Sequence, residues 1–212
     1  KEYRRQRQMC IRDRLYNRWN SLNYRCGNEK FPTYIDKSVC EEWKDDFYAF
    51  QDWSCGFVYT GMELDKDIII PGNKVYSPEA CTYVPQWLNL VLGDTRAIRG
   101  KYLIGVSYKK PTPGMVRELK KPFESRCMNL DGKKLWLGYH ETEYQAHKKW
   151  KVAKIDILEK AIKRYLEESP NKDIRVVLGV QYRVDLLKKS LITGEPITLS
   201  LIHISEPTRL RR

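Results

Sequence analysis

Leu64-Asp65-Lys66-Asp67-Ile68-Ile69-Ile70-Pro71-Gly72-Asn73-Lys74-Val75-Tyr76-Ser77-Pro78-Glu79-Ala80-Cys81-Thr82-Tyr83-Val84-Pro85-Gln86-Trp87-Leu88-Asn89 is the stretch whose reading decides the fold. A short apolar strand comes first, followed by a polar loop punctuated by Pro71, Gly72 and Ser77-Pro78. A second β-prone piece, Cys81 to Val84, then leads into a short helix opened by Pro85. Strand, loop, strand and helix make a ββα finger. A hairpin with a tight Pro-Gly loop is also ordinary scaffold, in which Asp65, Asp67 and Glu79 are solvated strand-end and loop residues.

These residues resemble the HNH nucleases of bacteriophages, whose core carries an Asp-His pair on the first strand, an Asn in the loop, and an Asn or His on the closing helix. Asp65 matches the metal-ligand Asp, Lys66 falls where the general-base His is expected, and Asn89 falls at the helix position. The resemblance implies a Mg²⁺ or Mn²⁺ ion held by Asp65 and Asn89 that stabilises the transition state of phosphodiester hydrolysis. The base is missing, because an ordinary lysine is protonated at neutral pH and accepts no proton unless burial lowers its pKa by several units. Either another group activates the water, Asp67 being the candidate with Lys66 contacting phosphate, or the finger no longer cuts.

Both chain ends fall outside the fold reasoning. Met9 to Asp13 and the start of the Arg14 codon are encoded by ATG-TGT-ATA-AGA-GAC-AG; Leu199 to His203 and the start of the Ile204 codon are encoded by CTG-TCT-CTT-ATA-CAC-AT, its reverse complement. Two ends of one protein have no physical reason to be reverse complements, so 1–14 and 199–212 read as translated sequencing adapters. Of the formal net charge of +12, these ends carry +6, and +6 remains for 15–198. The remainder is uneven: −4 over 15–98, +9 over 99–154 and +1 over 155–198.

The expected organisation is a 15–93 HNH-like domain with N-terminal helices, a basic connection, a 100–168 sheet-and-helix domain, and a C-terminal helix within 172–198. This chain length can bury a core without staples. With neither a leader nor a long apolar run, it reads as neither secreted nor membrane-spanning, hence cytoplasmic, in the host cell for a phage protein. Cys26, Cys40, Cys55, Cys81 and Cys127 lack Cys-x-x-Cys spacing and read as reduced thiols rather than a zinc site.

Leu15 to Arg25 reads as a short helix, with Tyr16, Trp19 and Leu22 on one face. Ser38 to Trp53 reads as a second, with Ser38 and Glu41 as a capping box and Val39, Trp43, Phe47 and Phe50 as its apolar stripe. Tyr102 to Tyr108, Phe123 to Met128 and Lys133 to Tyr139 read as strands, the last two joined at Asp131-Gly132. Thr142 and Gln145 cap a long helix running to Ser169-Pro170, and Ile174 to Lys189 is a further helix without an assigned role. His140 and His147 read as packed or surface side chains.

Ile104-Gly105-Val106-Ser107-Tyr108, Lys134-Leu135-Trp136-Leu137-Gly138-Tyr139 and Glu143-Tyr144-Gln145-Ala146 resemble the DNA-binding domain of plant ethylene-response factors, the Apetala type, which also follows HNH fingers in phage endonucleases. The insert Pro111 to Lys121 departs from that pattern. A face burying Val106, Leu135 and Leu137 on the helix leaves Tyr108, Arg126, Lys134 and Trp136 pointing outward. Such a sheet can lie in a major groove, its cations reaching phosphates and guanine edges while an aromatic packs on sugar or a thymine methyl. Arg96 and Arg99 in the connection and Lys109 after the first strand complete the expected contacts to double-stranded DNA. The expected fold class is α+β: an HNH-like ββα-metal finger flanked by helices, then a three-stranded antiparallel sheet packed on a long helix. The expected function is a phage-type, HNH-family, homing-endonuclease-like protein, with a non-catalytic DNA-binding protein as the alternative and an RNA-binding accessory protein as a third.

Overall fold

The computed structural model describes residues 2–93, 101–109 and 119–197, with side chains from Arg12 onward. The chain is α+β. Helix α1, Glu2–Arg25, is longer than the expected Leu15 to Arg25. Its buried Leu15 and Leu22 join Trp43, Phe50, Tyr76 and Cys81 in a first core.

Ser38 to Trp53 is not one helix. Ser38–Val39 forms strand β1 instead, Glu41–Asp45 forms α2, and Phe47–Cys55 forms α3. The cause is a tertiary pairing: β1 runs parallel to β3, Val75–Tyr76, with Ser38 N donating to Lys74 O at 3.0 Å and Cys40 N to Tyr76 O at 2.9 Å. Ser38 therefore cannot cap a helix. Asp46 breaks the segment in an extended conformation, and its carboxylate caps α3 by accepting from the N–H groups of Tyr48 and Ala49. The expected apolar stripe survives the break, since Val39, Trp43, Phe47 and Phe50 all pack in the first core.

Strand β2, Met62–Asp65, pairs antiparallel with β4, Thr82–Pro85, in a register that sets Asp65 opposite Thr82. Helix α4, Gln86–Leu92, follows at once. The hairpin-then-helix layout is therefore present, although the first strand ends at Asp65 and the apolar run Ile68-Ile69-Ile70 lies beyond it. Asp65 ends it: its Oδ1 accepts from the N–H groups of Asp67 at 2.7 Å and Ile68 at 2.6 Å, which turns the backbone out of the ladder.

Strands β5 (Val106–Tyr108), β6 (Phe123–Met128) and β7 (Lys134–His140) form one antiparallel sheet in that order. The first strand is shorter than Tyr102 to Tyr108. Gly105 precedes it with φ +77°, and a Cβ there would meet the Trp150 ring at 2.0 Å, so close approach of the long helix fixes a turn where a strand was expected. That helix, α5, Glu143–Glu168, starts with the expected capping box of Thr142 and Gln145. Helix α6, Ile174–Thr193, outlasts the expected Lys189 and ends on Gly194 in the left-handed conformation.

One apolar cluster contains Ile68, Val84, Leu88 and Val91 of the finger, Ile104, Cys127, Trp150, Ile157, Leu158 and Ala161 of the sheet-and-helix part, and Val176, Val180, Val184 and Leu187 of α6. The expected segment boundaries thus run through a shared core. Among the described residues no helix is long and apolar enough to cross a membrane.

Candidate functional site

The expected finger residues sit together in the fold's interior. Asp65, Lys66, Asp67 and Asn89 are each no more than 4% exposed. Asp65 is occupied with the turn it closes. Lys66 Nζ donates to Asp67 Oδ1 at 2.5 Å and to Asn73 O at 2.8 Å, inside the loop. Burial is the larger influence on Asp67 and outweighs the neighbouring ammonium, lifting its carboxyl to about 6.

Two parts of this arrangement were not found from sequence. Asn73 ties the loop across its neck: its Nδ2 donates to Lys66 O at 3.1 Å and Val75 O at 2.6 Å, while its Oδ1 accepts from Val75 N at 3.2 Å. The Pro-Gly-Asn run was its only local signal. The second part is α6, to which no role was assigned. Its Arg183 is buried, with Nη1 donating to Ile68 O at 2.9 Å and Nη2 to Asp67 O at 2.5 Å. Gly179, one turn earlier, lies so close that a Cβ would come within 1.9 Å of Ile68 O. A basic residue on an otherwise apolar stripe, Val180-x-x-Arg183-Val184, was the available hint.

The side chain of Asn171, in the α5–α6 connection, holds the finger from another direction. Its Nδ2 donates to Val58 O at 2.7 Å and Tyr83 O at 3.3 Å, and its Oδ1 accepts from Val58 N at 2.8 Å. Thr82 Oγ1 of β4 donates to Asp173 Oδ2 at 3.3 Å. The finger loop is therefore covered and pinned by the C-terminal helix.

The residues present do not fit a Mg²⁺ or Mn²⁺ centre. Such ions take about six oxygens in a near-octahedral shell, several of them water. Asp65 Oδ1 is already shared by two N–H groups, and two buried cations, Lys66 and Arg183, supply the positive charge at these carboxylates. Among the described residues no three His, Cys, Asp or Glu side chains come together as a metal-binding group. Cys26, Cys40, Cys55, Cys81 and Cys127 are free thiols, and burial pushes Cys26 up to about 11.

The sheet presents the opposite environment. Arg126 pairs with Trp136 and Met128 with Lys134 across β6 and β7, which sets Arg126, Lys134 and Trp136 on the outer face. Trp136 is 58% exposed, and its ring meets Tyr139 edge-on at 5.6 Å. Lys109 lies over the Tyr139 ring at 4.8 Å. Arg126 is held by Glu124, Nη2 to Oε1, at 2.7 Å.

Two expectations about this sheet are corrected. Tyr108 does not share the outer face: two residues on from Val106, it has the same parity, pairs with Phe123, and stacks with Tyr102 at 5.9 Å. Leu135 is 43% exposed rather than buried, although it pairs with the buried Cys127, whereas Leu137, at an irregularity between Ser125 and Arg126, is partly buried against the core. Arg96 and Arg99 lie outside the described residues, as does most of the insert after Lys109. His147 is a packed histidine: Nδ1 lies 2.9 Å from Ile104 O, Nε2 accepts from Ile197 N at 3.3 Å, and the ring stacks on Trp150.

Compared with protein-family models, curated proteins and solved structures, the chain matches none.

Proposed function

We propose that this chain is a double-stranded DNA-binding protein that meets the duplex with the outer face of β5–β6–β7, and that its HNH-like finger is scaffold rather than catalyst. The observation that carries the DNA reading is the exposed Trp136, flanked on one sheet face by Arg126, Lys134 and the Lys109–Tyr139 pair. Cations around an exposed aromatic suit a polyanion that also offers flat apolar surface: the ammonium and guanidinium groups reach phosphates and base edges, while the indole packs on sugar or a thymine methyl. The charge of +9 over 99–154 supports the same partner.

The scaffold half rests on burial. A general base must come within hydrogen-bond reach of water and substrate. Asp65, Lys66, Asp67 and Asn89 are enclosed, and Lys66, Asp67 and Arg183 are engaged with one another or with loop carbonyls. For a phage-type protein this DNA-binding activity belongs to the host cytoplasm.

One experiment separates the two halves. Residues 15–198 are incubated with supercoiled plasmid and Mg²⁺ or Mn²⁺, and duplex binding is followed by anisotropy on the same sample. The expected outcome is duplex binding by the wild-type chain that Trp136→Ala weakens, with no nicking. Nicking abolished both by a chelator and by Asp65→Ala would restore the endonuclease reading, and tighter binding to RNA or single strands would replace the duplex.

A further inference from the structure

A cavity of about 270 Å³ lies between α1 and the segment that leads into β2. Its volume falls just under the range of drug-sized sites, so it suits a small metabolite. Buried Leu15 and Leu22 fix which side of α1 faces inward, and Arg18 and Arg25, each three residues further along, flank that side. Glu63 of β2 lines the same space, and Tyr59, Leu64 and Tyr76, all packed in the first core, give it apolar wall. Arg14 also lines it but is exposed and belongs to the adapter-like end.

Arg18, Arg25 and Glu63 are partly buried, and their bonding capacity is incompletely used. Arg18 Nη2 donates to Met62 O at 2.9 Å, the guanidinium lies 5.1 Å from the centre of the Tyr83 ring, and Nη1 is buried without a hydrogen-bond partner among the described residues. Arg25 Nε donates to Ser21 O at 3.0 Å and Nη1 to Tyr34 Oη at 3.1 Å, which leaves Nη2 uncommitted. Among the described residues no carboxylate forms an ion pair with either guanidinium, and no cation forms one with Glu63. Burial raises the Glu63 carboxyl above its ordinary value, although both guanidinium groups act to lower it. The fold therefore gathers both signs of charge beside an apolar wall without joining them.

A ligand of one sign answers only half of this arrangement. A simple carboxylate docked on the arginines brings a second negative charge to Glu63, and a simple amine docked on Glu63 meets two guanidinium groups. A small zwitterion with an apolar body compensates all three side chains at once. We propose that this cavity binds a free α-amino acid with an aliphatic or aromatic side chain, its carboxylate held by Arg18 and Arg25, its ammonium by Glu63 and its side chain by Tyr59, Leu64 and Tyr76. Charge-assisted hydrogen bonds from the guanidinium groups fix the orientation, and the apolar wall selects the side chain.

The test titrates L-leucine, L-phenylalanine, 3-phenylpropionate and phenethylamine into the full chain by calorimetry, with thermal melting read in each. The last two are phenylalanine without its ammonium and without its carboxylate. At least one of the two amino acids is expected to bind saturably and to raise the melting temperature, because a ligand of the folded state stabilises it. Each phenylalanine fragment is expected to bind at least about tenfold more weakly than L-phenylalanine. In Glu63→Gln the affinity for L-phenylalanine should fall by about tenfold while that for 3-phenylpropionate holds or rises, a crossover that a general loss of folding does not produce. Arg25→Gln should weaken both carboxylate-bearing ligands and spare phenethylamine. Binding of 3-phenylpropionate as tight as that of L-phenylalanine would overturn the zwitterion in favour of a simple carboxylate. Saturable binding of neither amino acid, or binding that Glu63→Gln and Arg25→Gln both leave unchanged, would overturn the site.

Discussion

The finger and the sheet face use the same kinds of side chain, lysine, arginine, carboxylate and aromatic ring, in opposite settings. In the finger, Lys66, Asp67 and Arg183 are buried and bonded to one another or to loop carbonyls. On the sheet, Lys109, Arg126 and Lys134 are exposed around a Trp136 that only meets the edge of Tyr139 and stays more than half exposed. A buried cation spends its charge inside the fold and fixes geometry, whereas an exposed one remains available to a partner. The difference therefore separates charge spent inside the fold from charge left at the surface, where the proposed function places duplex DNA.

The strongest way to break the comparison is Gly179→Ala. A Cβ at that position would lie 1.9 Å from Ile68 O, so α6 must lift from the finger loop, and Arg183 with it. Melting is expected to fall by roughly 10 °C, while duplex affinity measured well below the transition changes by less than about twofold, because the sheet face is untouched. A large loss of binding at unchanged stability would mean that the finger also contacts DNA.

Trp136→Ala should do the reverse. Removing an exposed ring is expected to weaken duplex binding by about ten- to a hundredfold and to leave melting within about 2 °C, with fluorescence anisotropy and calorimetry reading the two effects. Lys134→Ala should act more weakly and without sequence preference. It is expected to lower the slope of log affinity against log salt by about one unit. A slope that does not move would place Lys134 off the phosphate track.

The connection between α5 and α6 predicts a pH effect. At Asp173 desolvation raises the carboxyl pKa, but the hydrogen bonds from Arg175 and Thr82 together outweigh it, so the folded value lies below the ordinary one. The sign follows: the unfolded chain binds the proton more tightly, so this stabilisation is present above pH ~4 and is lost as the pH falls through the folded value. Asp173→Asn should be less stable at neutral pH and show a shallower acid limb in melting experiments. The smallest effect is expected for Tyr108→Ala, whose side chain lies on the Val106 face. Duplex affinity should change by less than about twofold, and a change as large as that of Trp136→Ala would move the DNA contact to the other face.

Local chemistry made several elements legible. Thr142 and Gln145 announced α5 because a capping box satisfies two backbone donors whatever surrounds it. Asp131-Gly132 announced the β6–β7 hairpin because Gly132, at φ +73°, takes the left-handed conformation the turn needs. Ser38 and Glu41 carry the same box pattern and failed, because Ser38 N–H bonds Lys74 O in a strand pair far along the chain. The Arg126, Lys134 and Trp136 face was readable from strand parity, and the same rule, applied consistently to Val106, excludes Tyr108. At the finger, the sequence placed Asp65 and Lys66 on the first strand and Asn89 on the closing helix; Lys66 instead follows the strand end at Asp65, and nothing local could show that all three would be enclosed.

By itself, then, the sequence determined what short-range bonding and residue type control: the hairpin-and-helix order of the finger, the capped long helix, and a basic sheet with an aromatic on its outer face. The tertiary structure alone decided the availability of each charge. Arg183 lies 115 positions from the Ile68 carbonyl it bonds, and Gly179 brings its helix onto that same peptide. Burial depends on which distant segment packs on top, and a local pattern of residues carries no record of that.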